Sequence, residues 1–360
     1  MADKNQSNPL SRLNPNSMYG HVDFKTALAS ARTSERMHHA WLLTGPNGIG
    51  KASMAYIAAA WLLSDATPSD SLFGDMPEDL SLDLDDSGTN QVLNGAHPDF
   101  MAIYPREEDN KSGQIKIDQI RAMHPFMMHK PGRGKMRVAV IDSMDEINRN
   151  GANAMLKLLE EPPENTVIFL ISSRPGWLPP TILSRCRVFR MQPLGHDDCR
   201  DALASILPDA DENQINLLVQ LCDGAPGRAV SLAQSGAADC YQAVCALMAS
   251  QTLDITALSI LCGKWGKGGG VGRETREGAV YLLEQLLAKA ARHKASATAQ
   301  DIGGFEAPVL NLLCERHSVS HLAELHHNFV AAAAPAEALY LDFPHFLLSQ
   351  ITQMHQKQLP

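Results

Sequence analysis

Between Ala40 and about Pro193, short uninterrupted apolar runs alternate with stretches of helical periodicity. The clearest runs are Ala40-Trp41-Leu42-Leu43, Val138-Ala139-Val140-Ile141 and Val167-Ile168-Phe169-Leu170-Ile171. Continuous apolar character predicts strands covered on both faces, and the alternation with helices predicts crossover connections in a parallel sheet. The segment Gly113 to His124 predicts a brief strand at Ile115 and Ile117, then a helix capped by Asp118 and broken at Pro125.

After Pro193 the strand signals stop. From His196 to about Ser250 the chain reads as short amphipathic helices separated at Pro208 and at Gly224-Ala225-Pro226-Gly227. From Gln251 the pattern stays helical, with Leu282, Leu283, Leu286, Leu287 and Ala290 on one face and Leu322, Leu325 and Phe329 on another. The expected organisation is therefore an α/β domain over 1–195, a small helical domain over 196–250 and a helical C-terminal domain over 251–360. Gly263 to Gly272, with Lys264 and Lys267, superficially suggests phosphate binding, but no strand precedes it and a helix connector is expected.

Charge narrows the function. The chain has 360 residues and a formal net charge of −9, which argues against a free-standing DNA binder, since phosphate backbones are captured by a surplus of Lys and Arg. Any contact with nucleic acid must be local or shared. Ala52 to Pro105 contains no Lys or Arg, while Asp65, Asp70, Asp75, Glu78, Asp79, Asp83, Asp85 and Asp86 accumulate, so 64–90 reads as a solvated acidic loop insertion. His129, Lys130, Arg133, Lys135 and Arg137 form a compact basic patch that suits DNA or a partner's nucleotide, or equally a plain solvated hairpin. The seven cysteines, from Cys186 to Cys314, show no Cys-x-x-Cys spacing and are expected to be buried reduced thiols. The polar start has no apolar signal core, and the longest apolar stretch, Met54 to Leu63, is too short to span a bilayer. A cytoplasmic protein with no membrane partner is expected.

The chemistry concentrates in Gly45-Pro46-Asn47-Gly48-Ile49-Gly50-Lys51, a loop between a strand and a helix. Glycines there let backbone N–H groups converge on phosphate oxygens at a helix N-terminus, and Lys51 supplies a point charge for the outer phosphates. The next position ordinarily carries a Ser or Thr hydroxyl for magnesium, and here it is Ala52. Ser53 follows one helical step on, about 100° round the axis, and is expected to point away. Asp142 closes a buried strand where a carboxylate can hold the water shell of a bound magnesium. Asp145 and Glu146 are expected to open the next helix. Near the C-terminus, Cys314, His317, His321, His326 and His327 cluster, with helix histidines favoured over a metal site.

The run Asn153-Ala154-Met155-Leu156-Lys157-Leu158-Leu159-Glu160-Glu161-Pro162-Pro163, the following strand, and Ser184-Arg185-Cys186 resemble bacterial sliding-clamp loader subunits of the AAA+ group. In active members a Glu directly follows the strand-end Asp, and this chain has Ser143. The decayed positions look like the delta-prime type of DNA polymerase III rather than the ATP-hydrolysing gamma/tau type. The resemblance implies a P-loop AAA+ parallel-sheet domain, a helical lid and an all-α collar. It implies that Arg185 is an arginine finger acting in trans on ATP held by a neighbour. Gly45, Asn47, Gly48, Gly50, Lys51 and Asp142 would form a vestigial site for ATP or ADP. The implied function is a non-motor stator that assists ATP-dependent loading of the sliding clamp onto primed DNA. Its partners would be gamma/tau and delta subunits, and through them the clamp and primer–template DNA; no polymerase site is implied in this chain. An autonomous gamma/tau-like ATPase and a scaffold that binds no nucleotide remain the alternatives. Many relatives carry a four-cysteine zinc module after the P-loop helix; no cysteine precedes Cys186, so no zinc is expected. Arg228 is shifted by one position from the family's γ-phosphate sensor, and Ser172 and Ser173 stand where its first polar sensor resides.

Overall fold

The computed structural model describes residues 18–34, 36–64, 80, 82–105, 114–132, 136–265, 270–296, 304–338 and 342–357. The chain divides into two compact units, Met1–Pro208 with Asp223–Gly227, and Asp209–Cys222 with Arg228–Pro360.

In the first unit, strands β1 (Ala40–Thr44), β2 (Phe100–Ile103), β3 (Arg137–Ile141), β4 (Thr166–Ser172) and β5 (Arg187–Arg190) form one five-stranded sheet in the order β2-β3-β4-β1-β5. All its pairings are parallel, with Leu42 opposite Leu170 and Val140 opposite Phe169. Every residue of β1, β3 and β4 is buried because successive side chains enter two separate apolar layers. Trp41, Leu43, Val138, Val140, Phe169 and Ile171 pack on one side with Phe24 and Leu28 of α1 (Val22–Thr33) and with α2 (Lys51–Leu63). On the other side, Leu42, Ala139, Ile141, Ile168 and Leu170 pack with α4 (Ile117–Met128) and α5 (Arg149–Glu160). The apolar run Met54 to Leu63 is thus a core helix, buried along its whole length. The short helices α3 (Ser87–Leu93) and α6 (Pro180–Leu183) and the longer α7 (His196–Ile206) complete this unit.

Several expectations are corrected here. Ile115 makes only an isolated bridge to Ile147, and Ile117 begins α4 rather than a strand. Asp118 lies in the first turn of α4, while the Gln119 side chain accepts from the Lys116 N–H at 3.0 Å. The helix also runs through Pro125, because the carbonyl that loses its donor there belongs to exposed Arg121. The acidic stretch lies largely outside the described residues, but its end is structured: Asp86 caps α3 by accepting from the Thr89 N–H at 2.7 Å, and α3 packs on α2. Arg133 and Lys135 of the basic patch fall outside the described residues. Arg137 is no surface cation: it is buried, 3.4 Å from Asp99, donates to the Lys130 carbonyl and lies over the Phe126 ring.

The second unit is helical: α8 (Glu212–Cys222), most of α9 (Pro226–Gln234), α10 (Ala237–Met248), α11 (Ile255–Trp265), α12 (Gly270–Ala295), α13 (Ala307–Arg316), α14 (Val319–Ala338) and α15 (Phe343–His355). Leu282, Leu283, Leu286, Leu287 and Ala290 form the buried face of α12, which packs against α14 through Leu322, Leu325 and Phe329. Inside this core Tyr241 and Lys289 both donate to Glu306, at 2.5 and 2.7 Å. Of the C-terminal histidines, His317 is buried and bonds the Met354 carbonyl at 2.8 Å, while His326 faces Glu284 at 3.7 Å and His321 faces Glu324 at 3.7 Å. Residues 266–269 of the glycine-rich stretch lie outside the described residues; Gly263 is in α11 and Gly270 starts α12. Among the described residues no helix is long and apolar enough to cross a membrane.

Candidate functional site

The loop between β1 and α2 has the shape its glycines predict. Gly45, Gly48 and Gly50 adopt φ of 146°, 82° and 94°, which side-chain-bearing residues rarely reach. A Cβ on Gly45 would lie 2.5 Å from the Met191 carbonyl oxygen and 2.8 Å from Ile49. Lys51 is buried, and its ammonium donates to the carbonyls of Gly45 at 2.9 Å and Pro46 at 2.6 Å and to Ser173 Oγ at 2.9 Å. Ser173 in turn donates to Asn47 Oδ1 at 2.5 Å, and the Gly227 N–H donates to the Gly48 carbonyl at 2.8 Å. The strand end of β4 and the start of α9 therefore clasp the loop from both sides.

A cavity of about 370 Å³ opens here, lined by the loop, Asp142 and Ser173 at one end and by apolar Met18, Leu194 and Ile206. His21, which the sequence reading missed, also lines it and donates from Nε2 to the Ile49 carbonyl at 2.7 Å. Burial pushes the His21 imidazole below its ordinary range against the pull of that hydrogen bond, and Lys25 and Lys51 add to the lowering. Only the geometry reveals it, since a lone His before a helix carries no sequence signal.

Ala52 presents a methyl group to the cavity. Ser53 also lines it. Burial pushes the Asp142 carboxyl up to about 6, against the attraction of Lys51. Asp145 is the middle residue of a short 3-10 turn, Met144–Glu146, and ties that turn to β4. Its two oxygens accept from Ser172 Oγ and from the Ser173 N–H, both at 2.6 Å, and its own N–H donates to Ser143 Oγ at 3.1 Å. Ser172 and Ser173 thus both hold this turn to the end of β4. Glu146 is exposed, and its carbonyl accepts from the Ile115 N–H at 2.9 Å.

Arg185 does not line this cavity. It follows α6, and its guanidinium donates from one terminal nitrogen to the Thr181 carbonyl at 2.9 Å and to Ser184 Oγ at 3.4 Å. The other terminal nitrogen lies 2.9 Å from Glu160 Oε1, at the C-terminus of α5, with the side chains 34% and 48% exposed. Nearby in sequence, Trp177 is 79% exposed and Arg174 sits 4.9 Å over its ring. Burial pushes the Cys186 thiol up to about 12, which disfavours the thiolate that a nucleophile needs. Arg228, within the second unit, lies 4.0 Å over the Tyr281 ring and donates to the Cys222 carbonyl at 3.4 Å.

A parallel sheet feeding a glycine loop and a buried lysine at a helix start defines the class, a P-loop α/β module. Residues 20–195 match the family described as DNA polymerase III, delta subunit. The DNA polymerase III subunit delta' of Pseudomonas aeruginosa is 35% identical over 189 residues, covering 52% of this chain and 53% of that protein. The subunit tau of Escherichia coli is 30% identical over 215 residues, covering 58% of this chain and 30% of that protein. The chain thus spans about half, or less, of the length of these relatives. A gamma-subunit-related protein from Thermotoga maritima aligns over 92% of this chain and 99% of its own at 15% identity, with a TM-score of 0.40. Over residues 20–195 the chain is therefore similar to the delta-type subunits of DNA polymerase III, subunit delta' among them.

Proposed function

We propose that this chain is a non-motor stator of the clamp loader within the DNA polymerase III holoenzyme. In this reading it sits beside an ATP-hydrolysing gamma/tau subunit in a ring that includes delta, and assists loading of the sliding clamp onto primer–template DNA in the cytoplasm. Residues 196–250 would act as the lid and 251–360 as the collar of that ring.

The observation that carries the reading is the contrast between the two ends of the chemistry. The chain's own loop offers Ala52 where magnesium needs a hydroxyl, and Asp145 is bound to Ser172 and Ser173 instead of free to orient water. Arg185 keeps its guanidinium partly exposed on an outer ledge, suited to charge on a neighbour's phosphates. In this reading the vestigial loop would hold ATP or ADP only through Lys51 and the glycine backbone, with Asp142 beside it. Arg185→Ala should lower ATP turnover at the adjoining site of the assembled complex by on the order of 10³-fold, with assembly intact. Unchanged turnover removes the trans role.

Ser53 on the cavity wall favours one other reading, an autonomous ATPase in which that hydroxyl replaces the one absent at Ala52. Magnesium-dependent turnover by the purified chain, abolished by Lys51→Ala, would establish it.

A further inference from the structure

We infer that Glu160 is a positioning residue for Arg185, fixing the plane of the guanidinium before a neighbour's phosphates arrive; this rests on the trans role proposed above. The Thr181 carbonyl and Ser184 Oγ both engage the same terminal nitrogen of Arg185, and both belong to the α6 turn that carries the arginine. Contacts to one nitrogen leave the planar group free to swing about it. Glu160 holds the other terminal nitrogen at 2.9 Å from a different element, the C-terminus of α5. Two nitrogens held from two elements define a plane.

The anchor itself is well fixed. Met155, Leu158 and Leu159 bury one face of α5 against the sheet, and Asn148 caps its start by accepting from the Gly151 N–H at 2.9 Å. On the arginine side, Ile182 is fully buried and fixes the α6 turn. A guanidinium carries five N–H donors. With the Thr181, Ser184 and Glu160 contacts made, Nε–H and one further N–H are left over for a partner's oxygens. A half-exposed ion pair contributes little to folding, so its value lies in geometry. A misplacement of about 1 Å in such a group can cost about 100-fold in rate.

The test uses the assembled complex with its ATP-hydrolysing subunits, clamp and primed DNA. Glu160→Ala is expected to lower kcat for ATP at the adjoining site about three- to tenfold with KM unchanged. Glu160→Gln, whose amide oxygen can accept from the same nitrogen, is expected to restore most of it. In an Arg185→Ala background, Glu160→Ala should add nothing, because the carboxylate acts only through the arginine. Thermal unfolding of each isolated variant should match the parent. Three results overturn the inference: Glu160→Ala with full turnover while Arg185→Ala is impaired, Gln behaving as badly as Ala, or the two losses multiplying in the double variant. Loss of effect for Arg185→Ala itself overturns the trans role instead.

Discussion

The corner around Lys51 and the ledge around Arg185 are built on opposite plans. At Lys51 the polar side chains are satisfied by their own fold: the ammonium by Gly45, Pro46 and Ser173, Asp145 by Ser172 and Ser173, and Ser173 by Asn47. At Arg185 the charged group is partly exposed and oriented on one side only. A site complete in its own contacts can keep its shape after its reaction is lost, because the same hydrogen bonds hold the fold. A site with donors left over can offer them to a partner from outside. On the proposed reading, the difference teaches that a phosphate loop and a catalytic contribution can separate within one chain.

If the loop at Lys51 is kept as structure, disturbing its backbone should cost folding directly. Gly45→Ala places a Cβ 2.5 Å from the Met191 carbonyl at a φ of 146°. The expected loss is about 2–4 kcal/mol in denaturant unfolding. A loss below about 0.5 kcal/mol, within the range of ordinary surface changes, would show the loop to be loosely held and break the comparison.

How much of this was legible depends on where each partner lies along the chain. β1, β3 and β4 announced themselves because burial on both faces leaves continuous apolar runs, and the glycine loop did so because its residues are consecutive. β2 and β5 are edge strands; in β5 the apolar pair Val188 and Phe189 is flanked by exposed Arg187 and Arg190, which hides it from hydrophobic periodicity. The clasp on the loop was invisible, since Ser173 lies 122 residues from Lys51 and 126 from Asn47. His21, 28 residues from Ile49, was hidden in the same way. Arg185 was readable only through the resemblance of Ser184-Arg185-Cys186, and its partner Glu160 only through the fold. Arg137 read as part of a basic patch because its counter-charge, Asp99, precedes the loop it closes.

A middle-sized effect should appear at Asp142, whose carboxyl burial raises to about 6 from its ordinary 3.8. An acid raised in the folded state adds stability below its unfolded value and loses that contribution as pH rises through its folded one. Above pH 6 the charged, buried form is therefore a cost. Asp142→Asn should stabilise the chain by about 1–3 kcal/mol near pH 7.5, with the gain shrinking towards zero near pH 4. Thermal unfolding across that range measures it. A gain that is flat with pH would mean that the carboxylate is not the source, and a loss at neutral pH would mean that its pairing with Lys51 outweighs burial.

The smallest effect tests the chemistry missing from the corner. Ala52→Ser returns a hydroxyl to the first turn of α2, beside Asp142 and facing the same cavity. One added ligand to a phosphate-bound magnesium is worth about 1–1.5 kcal/mol, or about tenfold in affinity. Nucleotide binding by the native chain should therefore respond little to magnesium, and binding by Ala52→Ser should tighten about tenfold when magnesium is added. Turnover should stay undetectable in both, because Ser143 is no base and Asp145 remains bound to β4. Titration with and without chelator separates the outcomes. Strong magnesium dependence in the native chain would show that Ser53 already serves the metal, and the corner would then be a working half-site in its own right, removing the contrast with the ledge at Arg185.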